Sequence, residues 1–316
     1  MCEHPRVVDL TALAGLPRWH GQPGRLEVHY LTATEEATGT GVWLHHEIVA
    51  PTDGSAAYSH GWFAQFPADR PASYHRFGPA PAQPVDDEHW YAVPGVEMTA
   101  AGAAGAVDDI SWDLRWQGDE APLWTFPRWA WQRQALPAAQ VLALPRLTVS
   151  GTVAGEPFSG RGGLAHIYGH GNAHRWVWLH ADLDDEVVLE LVAATARRPG
   201  LRLLPPLPLL QLRIGDHDWP RDPLAAAPLL RARLEAHRFT VSGVVGTRRI
   251  RVTAELPRDR CVAVGYTDPD GATATCTNTE RADVKVSVDD LTARGWRRRH
   301  EWHLDGTAHA EIGTRP

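Results

Sequence analysis

Hydrophobic and polar positions alternate in short segments along most of this 316-residue chain. These segments are rich in β-branched and aromatic residues and are bounded by Asp, Asn, Gly or Pro, a pattern typical of β-strands separated by turns. Helical periodicity is weak, and the best helical candidate, 223–236, is interrupted by Pro228. The pattern therefore predicts an all-β protein with few short helices.

The number and spacing of the predicted strands are typical of antiparallel sandwiches or closed barrels. A Trp-rich segment, 124–139, separates two strand-rich halves. We predict a boundary near residue 145, with an N-terminal β domain over 1–145 and a C-terminal β domain over 146–316. The clearest predicted hairpin has its turn at Asp305-Gly306.

One segment concentrates polar and aromatic side chains at every second position. Its alternate residues are His166, Tyr168, His170, Asn172, His174, Trp176, Trp178, His180 and Asp182. Side chains of an extended strand repeat every two residues, so we predict that they share one face directed into an enclosed cavity. Two alternatives stay open: the Trp-x-Trp pair can be ordinary core, and the glycines at 169 and 171 can break the strand.

These residue types suit acid-initiated chemistry on an apolar substrate. A His with a carboxylate partner can protonate an alkene, and each Trp face stabilises the resulting cation by about 0.5–2 kcal/mol. The candidate catalytic residues are His166, His170, Tyr168 and Asp182. The candidate substrate-binding residues are Asn172, His174, Trp176, Trp178, Trp43, His45, His60, Trp62 and Trp302. For pericyclic chemistry the same walls would only hold the substrate folded.

Cofactor sites are not indicated by the sequence. His166, His170 and His174 are four residues apart, about 13 Å along a strand, which is too far to share an ion unless the glycines fold the segment back. Neither a phosphate-binding glycine loop nor a nucleophile elbow occurs. Glu47 and Asp113 lie in apolar strands, so each either faces a barrel interior, where it needs a partner, or faces outward, and we favour the outward position. We predict no metal and no other cofactor.

Charge and composition limit the classes of molecule that the protein is expected to bind and the compartment in which it is expected to occur. The net charge is -7, which disfavours both nucleic acid and an anionic membrane surface as partners. No apolar run reaches 18 residues, so we predict no transmembrane segment. The three cysteines form no disulfide framework, and we predict a cytoplasmic protein.

The chain has fourteen Trp and only six Phe, which indicates rings that line a pocket for an apolar small molecule or fill cores. Peripheral membrane or lipid contact and the oligomeric state stay open.

The run Gly-His-Gly-Asn-Ala-His-Arg-Trp-Val-Trp-Leu-His at 169–180, after a Gly-rich approach and His166, resembles the signature of a lipocalin-like superfamily. Its members include tocopherol cyclase, hydroxyneurosporene synthase (a carotenoid hydratase) and the lipocalin-type Diels–Alderases. Gly41–Leu44, Ser111–Leu114 and Tyr266–Gly271 are also similar. Members often have His-Asn-Trp-Gly where this chain has His-Ile-Tyr-Gly, so no family role is carried to Tyr168.

The resemblance implies two lipocalin-like antiparallel barrels or sandwiches in tandem, with an apolar ligand in one barrel or between the two. It also implies a cofactor-independent cyclase, isomerase or hydratase acting on an isoprenoid-like or polyketide-like molecule, as in secondary metabolism. The alternative is a non-catalytic carrier or sensor of a hydrophobic ligand. Enzyme and carrier remain two hypotheses, because a fold does not decide a reaction. A purely structural β-protein is a third, ranked last because it would have no use for the polar strand face.

Overall fold

The computed structural model describes residues 14–86, 88–134, 136 and 138–316. Within these residues twenty strands form two antiparallel sheets, and the few helices are short, which confirms the predicted all-β class. The helices are α1 (Arg128–Arg133) and α2 (Pro223–Ala226), with 3₁₀ turns at Leu201–Leu203, Ala227–Leu229 and Arg258–Arg260. None of these described helices has the length and apolar character needed to cross a bilayer.

The first sheet contains the first ten strands of the chain. They are β1 (Arg25–Glu35), β2 (Gly41–Ala50), β3 (Tyr58–Phe66), β4 (Ser73–Pro81), β5 (His89–Val93), β6 (Val96–Thr99), β7 (Gly102–Val107), β8 (Ile110–Gln117), β9 (Ala138–Val153) and β10 (Glu156–Gly169). Their order is β4-β3-β2-β1-β10-β9-β8-β7-β6-β5, and the edge strands β4 and β5 contact each other. The sheet therefore curls into a barrel, which we call the first barrel. Leu44, Phe63 and Trp112 pack inside it.

The second sheet contains the remaining strands. They are β11 (Arg175–Asp184), β12 (Val187–Thr195), β13 (Leu207–Ile214), β14 (His217–Trp219), β15 (Leu230–Leu234), β16 (Arg238–Val245), β17 (Arg248–Glu255), β18 (Val262–Thr267), β19 (Thr273–Thr292) and β20 (Gly295–Thr314). Their order is β14-β13-β12-β11-β20-β19-β17-β16-β15, with β18 paired to β19. The sheet surrounds its own apolar core, which includes Leu191, Phe239 and Val252.

A third apolar cluster joins the outer faces of the two sheets. On β1, Leu26, Val28 and Tyr30 belong to this cluster, whereas Leu31 and Ala33 face the first barrel. Because both faces are covered, every residue of β2 is buried and the usual polar face is lost. The space between the sheets is therefore an enclosed environment.

The boundary predicted at residue 145 is wrong for the sheets. β9 pairs with β8 and β10, and β10 pairs with β1, so the chain enters the second sheet only at Arg175. Glycine makes the pairing of β10 with β1 possible. A Cβ on Gly162 would lie 1.8 Å from the Thr32 carbonyl oxygen, and one on Gly160 would lie 2.3 Å from that of Thr34.

Two local predictions also differ from the structure. Asp305-Gly306 is not a hairpin turn, because β20 continues through it; Gly306, at φ 67°, lies opposite a register shift in β19. In the segment 223–236, helical structure ends at Leu229 and strand β15 follows at once. In both places strand pairing overrides the local pattern.

Candidate functional site

The polar face predicted over 166–182 is divided between the two sheets. His166 and Tyr168 end β10, residues 171–174 belong to no strand, and Trp176 and Trp178 lie on β11. The break occurs at Gly171, whose φ is 141° and where a Cβ would lie 2.5 Å from the Asp268 carboxylate. The prediction of one continuous face is wrong, and the glycines are the reason.

His166 and Tyr168 point into the first barrel. The His166 ring is fully buried, with Nε2 2.8 Å from Glu27 Oε1 and Nδ1 2.8 Å from the Ala14 carbonyl oxygen. Tyr168 packs in the barrel core, beneath the guanidinium of Arg18 at 4.9 Å. Neither side chain faces the space between the sheets.

The other predicted polar residues also separate. His170 is exposed, and its Nδ1 lies 2.8 Å from Arg25 Nη1. His174 is half-buried, and its backbone pairs with Thr195. Asp182 lies 3.8 Å from Arg146 Nε. The four candidate catalytic residues therefore do not converge on one place.

A cavity of about 420 Å³ lies between the sheets. Four of the predicted binding residues line it: His45, Asn172, Trp176 and Trp178. The remaining wall is mostly apolar and includes Leu26, Val28, Tyr30, Phe126, Ile167, Val192, Leu209 and Tyr266. Its size falls within the range of small-molecule sites.

Three further predicted binding residues do not line the cavity but contact, directly or through one another, residues that do. The Trp62 ring stacks on His45 at 3.9 Å and 7°, and Trp43 meets Trp62 edge-on at 5.2 Å. His60 Nε2 lies 3.5 Å from Glu47 Oε2. Trp302 is elsewhere, because its side chain packs against the core of the second sheet and its Nε1 donates to Asp184.

Glu47 is the main residue that the sequence reading misplaced. It was expected to face outward, as the exposed Asp113 does, but it is fully buried and lines the cavity. Burial, with a contribution from Asp268, raises the pKa of Glu47 to about 8. Its Oε2 lies 3.1 Å from His45 Nε2, and its Oε1 has no hydrogen-bond partner among the described residues.

The imidazoles beside Glu47 stay neutral. Burial lowers the pKa of His45 well below its usual value and that of His60 to about 4. A neutral His45 can donate its Nε2 hydrogen to Oε2, which leaves Oε1 to carry the carboxylic proton. The cavity therefore has a neutral carboxylic acid in its wall at pH 7.

Two more buried carboxylates hold the indoles of the Trp-x-Trp pair. Trp176 Nε1 donates to Glu311 Oε1 at 2.8 Å, and Trp178 Nε1 donates to Glu190 Oε1. Gln140 donates to the same Glu190 oxygen at 2.7 Å. Burial raises the pKa of both carboxyls. For Glu190 the available sequence signal was an acidic residue inside an otherwise apolar strand.

A second, more polar cavity of about 340 Å³ contains His180 and Asp182. His309 also lines it and bonds to Glu280, with 2.6 Å between Nδ1 and Oε1. Trp178 separates the two cavities in part, since its ring lies 4.0 Å from that of His309.

The described residues contain one set of side chains that could hold a metal ion. Glu27, His29 and His166 bring their ligand atoms within 4.8 Å of one another. This set differs from His166, His170 and His174, the spacing of which argued against a shared ion.

No protein-family model matches the chain. Two curated relatives, the uncharacterized proteins MT0513 and Rv0493c of Mycobacterium tuberculosis strains CDC 1551 and H37Rv, are 48% identical over 316 residues. The match covers 98% of this chain and 92% of each relative.

Solved structures show the same fold at low sequence identity. CghA with Sch210972 matches with a TM-score of 0.56 and 12% identity over 92% of this chain and 88% of that chain. A putative AttH from Nitrosomonas europaea gives 0.57 and 12% over 92% of each chain. Kievitone hydratase from Nectria haematococca gives 0.52 and 11% over 95% and 93%. The lipocalin-like fold implied by the sequence resemblance is confirmed.

Proposed function

The chain belongs to the same family as the uncharacterized mycobacterial protein Rv0493c, and we propose that it is a cofactor-independent cyclase, isomerase or hydratase. Its substrate is an apolar small molecule, isoprenoid-like or polyketide-like, bound between the two sheets. One observation carries the proposal: Glu47 is a buried carboxyl with a pKa near 8 in the wall of an aromatic cavity. Raised carboxyl pKa values in clefts are typical of general acids.

In the proposed reaction Glu47 is the acid. An alkene π pair takes the proton from Oε1, which forms a C–H bond and leaves a carbocation beside the Glu47 carboxylate. The faces of Tyr30, Trp176 and Tyr266, all in the cavity wall, stabilise this cation by about 0.5–2 kcal/mol each.

The reaction then ends in one of two ways. Loss of a neighbouring C–H proton to the carboxylate forms a new alkene and completes an isomerisation. In a cyclisation a second π pair of the substrate first attacks the cation and forms the ring C–C bond, and the new cation then loses a C–H proton to the carboxylate. Addition of water, whose proton passes to the carboxylate, completes a hydration. Either route restores the Glu47 acid, so the chemistry needs only groups of the chain and water.

Similar folds with named activities support this choice. One neighbour was solved with the small molecule Sch210972, and another is a hydratase. His166 and His170 were the predicted acids, but the proposal assigns the proton to Glu47 because neither histidine lines the cavity.

A carrier or sensor is the alternative, favoured by the largely apolar cavity wall. The two functions differ in D₂O. We would incubate the protein with an apolar extract of its host and look for products by high-resolution mass spectrometry. Acid-initiated turnover places one solvent deuterium on carbon, whereas a carrier or a pericyclic enzyme places none.

The variants for this assay are Glu47→Gln and His170→Gln. We expect the first to abolish deuterium incorporation while ligand is still retained in native mass spectrometry. The second removes an exposed imidazole at the surface and should behave as wild type. Undiminished labelling with Glu47→Gln would exclude Glu47 as the acid, and no labelled product with the wild type would favour the carrier.

We also propose that the protein contacts an anionic lipid surface through one local patch, although the net charge of -7 disfavours such a surface for the chain as a whole. The segment 197–207 lines the cavity and exposes Leu201, Leu203, Leu204 and Leu207, with the exposed Arg198 and Arg202 among them. Exposed apolar side chains with flanking arginines are typical of interfacial binding.

Vesicle sedimentation tests this contact. Leu203 is 84% exposed and does not line the cavity, so Leu203→Ser should weaken binding to phosphatidylglycerol vesicles without changing ligand binding. Leu291→Ser is the matched control, since Leu291 is 50% exposed on β19. Equal sedimentation of both variants and wild type, or none with any of them, would refute the proposal.

A further inference from the structure

We infer that the first barrel contains a binding site for a divalent transition-metal ion, formed by Glu27, His29 and His166. All three residues are buried, and one ligand atom from each lies within 4.8 Å of the others. Two imidazoles and a carboxylate are the donor set of several zinc and non-haem iron sites. The site is independent of the proposed reaction.

The hydrogen bonds around the two histidines are those expected of metal ligands. His166 Nδ1 lies 2.8 Å from the carbonyl oxygen of Ala14, and His29 Nε2 lies 2.8 Å from that of Gly15. A carbonyl oxygen only accepts, so each of these nitrogens carries the hydrogen. The other nitrogen of His29 is then free to offer its lone pair, which is the form that binds a metal. His166 Nε2 shares a hydrogen with Glu27 Oε1 at 2.8 Å, and a bound ion would take the place of that hydrogen.

Glu27 is oriented in the same way. The backbone N–H of Arg18 donates to Oε1 at 2.6 Å, and that of Trp19 donates to Oε2 at 2.9 Å. These bonds fix a charged carboxylate next to the two rings, which are themselves stacked with centroids 4.0 Å apart. The four backbone groups named here, which hydrogen-bond to the three side chains, come from the short segment 14–19.

The spacing of His166 and Glu27 needs little adjustment to admit an ion. His166 Nε2 and Glu27 Oε1 are 2.8 Å apart. Two ligands at about 2.1 Å from a tetrahedral ion are roughly 3.4 Å apart, so this pair has to separate by only roughly 0.6 Å. Three protein ligands leave a fourth position for water.

The site lies on the opposite face of β1 from the cavity. Glu27 and His29 alternate along the strand with Leu26, Val28 and Tyr30, which line the cavity. An ion there would not touch the substrate. It would link β1 and β10 to the segment 14–19, so its expected effect is on stability.

Zinc and cobalt are the probes. Protein purified without an affinity metal, treated with chelator and then dialysed against Zn²⁺, should retain about one zinc per chain by elemental mass spectrometry. Zn²⁺ should raise the thermal midpoint, since a ligand that binds only the folded state stabilises it. Co²⁺ should give the visible absorption of a four-coordinate site, which zinc then removes.

The chain has 17 histidines, and variants separate the two of this site from the other 15. Glu27→Gln and His166→Gln should lower zinc affinity at least 100-fold, while the exposed His170→Gln keeps it. If His166→Gln does not fold, Glu27→Gln and the Co²⁺ spectrum of the wild type decide. Three results would overturn the proposal and indicate adventitious binding. They are retention of less than one zinc per ten chains, a six-coordinate Co²⁺ spectrum, and a zinc affinity of Glu27→Gln equal to that of the wild type.

Discussion

Replacing Glu47 with Gln should make the protein more stable at neutral pH. The carboxyl is fully buried, and burial raises its pKa from 4.5 to about 8. In the unfolded chain the same group ionises freely above pH 4.5. Folding at pH 7 must therefore take up a proton at this residue, whereas an amide of the same shape takes up none.

The size of the effect follows from the two pKa values. At pH 7 the unfolded carboxyl lies about 2.5 pH units above its pKa, while the folded one is still mostly protonated. Each unit corresponds to about 1.36 kcal/mol, so the cost of protonation is about 3 kcal/mol. The amide also keeps an oxygen that can accept from His45 Nε2, as Oε2 does at 3.1 Å.

The dependence on pH has a definite sign. The folded pKa is the higher one, so the stability from the protonated form is complete below pH 4.5 and is lost as pH rises through 8. The free energy of unfolding of the wild type should fall across this window. The Gln variant should lack this part of the slope, and the two proteins should converge near pH 4.5.

Urea denaturation at pH 5, 7 and 8.5 measures these differences. Asp113→Asn is the matched control, because Asp113 is exposed and its removal should change stability by no more than about 0.5 kcal/mol. The claim that Glu47 is a buried neutral acid would be refuted in either of two cases. One is a Glu47→Gln variant that is less stable than wild type at pH 7, and the other is a stability difference between the two proteins that does not change with pH. A stabilised variant that is also inactive would indicate that Glu47 is retained for chemistry.

Two further substitutions test the cavity wall. Gly313→Ala places a Cβ 2.0 Å from the Trp176 ring, so the indole must move. Ligand-induced changes in Trp fluorescence should then be lost. An unchanged fluorescence response would show that Gly313 is not needed to make room for the Trp176 ring. Trp178→Phe removes the N–H that donates to Glu190, which should cost about 1–3 kcal/mol in urea denaturation. A cost below about 0.5 kcal/mol would mean that the buried carboxylate does not need the indole.

The sequence by itself determined the class of the fold and part of the site. Alternation with period two is a local property, so it predicted strands without knowledge of their partners. The resemblance around 169–180 predicted the lipocalin-like fold, which the structural neighbours confirm. Alternation also predicted that Trp176 and Trp178 share a face, because residues two apart on one strand point the same way, and both line the cavity.

Strand pairing over long distances decided the rest. Alternation tells which residues share a face, but not which sheet covers that face. β1 pairs with β10, more than a hundred residues away, and this pairing places His166 beside Glu27 inside the first barrel. A local pattern cannot contain that information, because the two segments become neighbours only when the barrel closes.

The acid of the proposed site depends on the same kind of packing. Glu47 has an ordinary place in an apolar strand, where a carboxyl usually faces water. The second sheet covers this face of β2, removes the water and raises the pKa. Sequence determined that Glu47 and His45 point the same way; only the docking of one sheet on the other decided that they would be buried together.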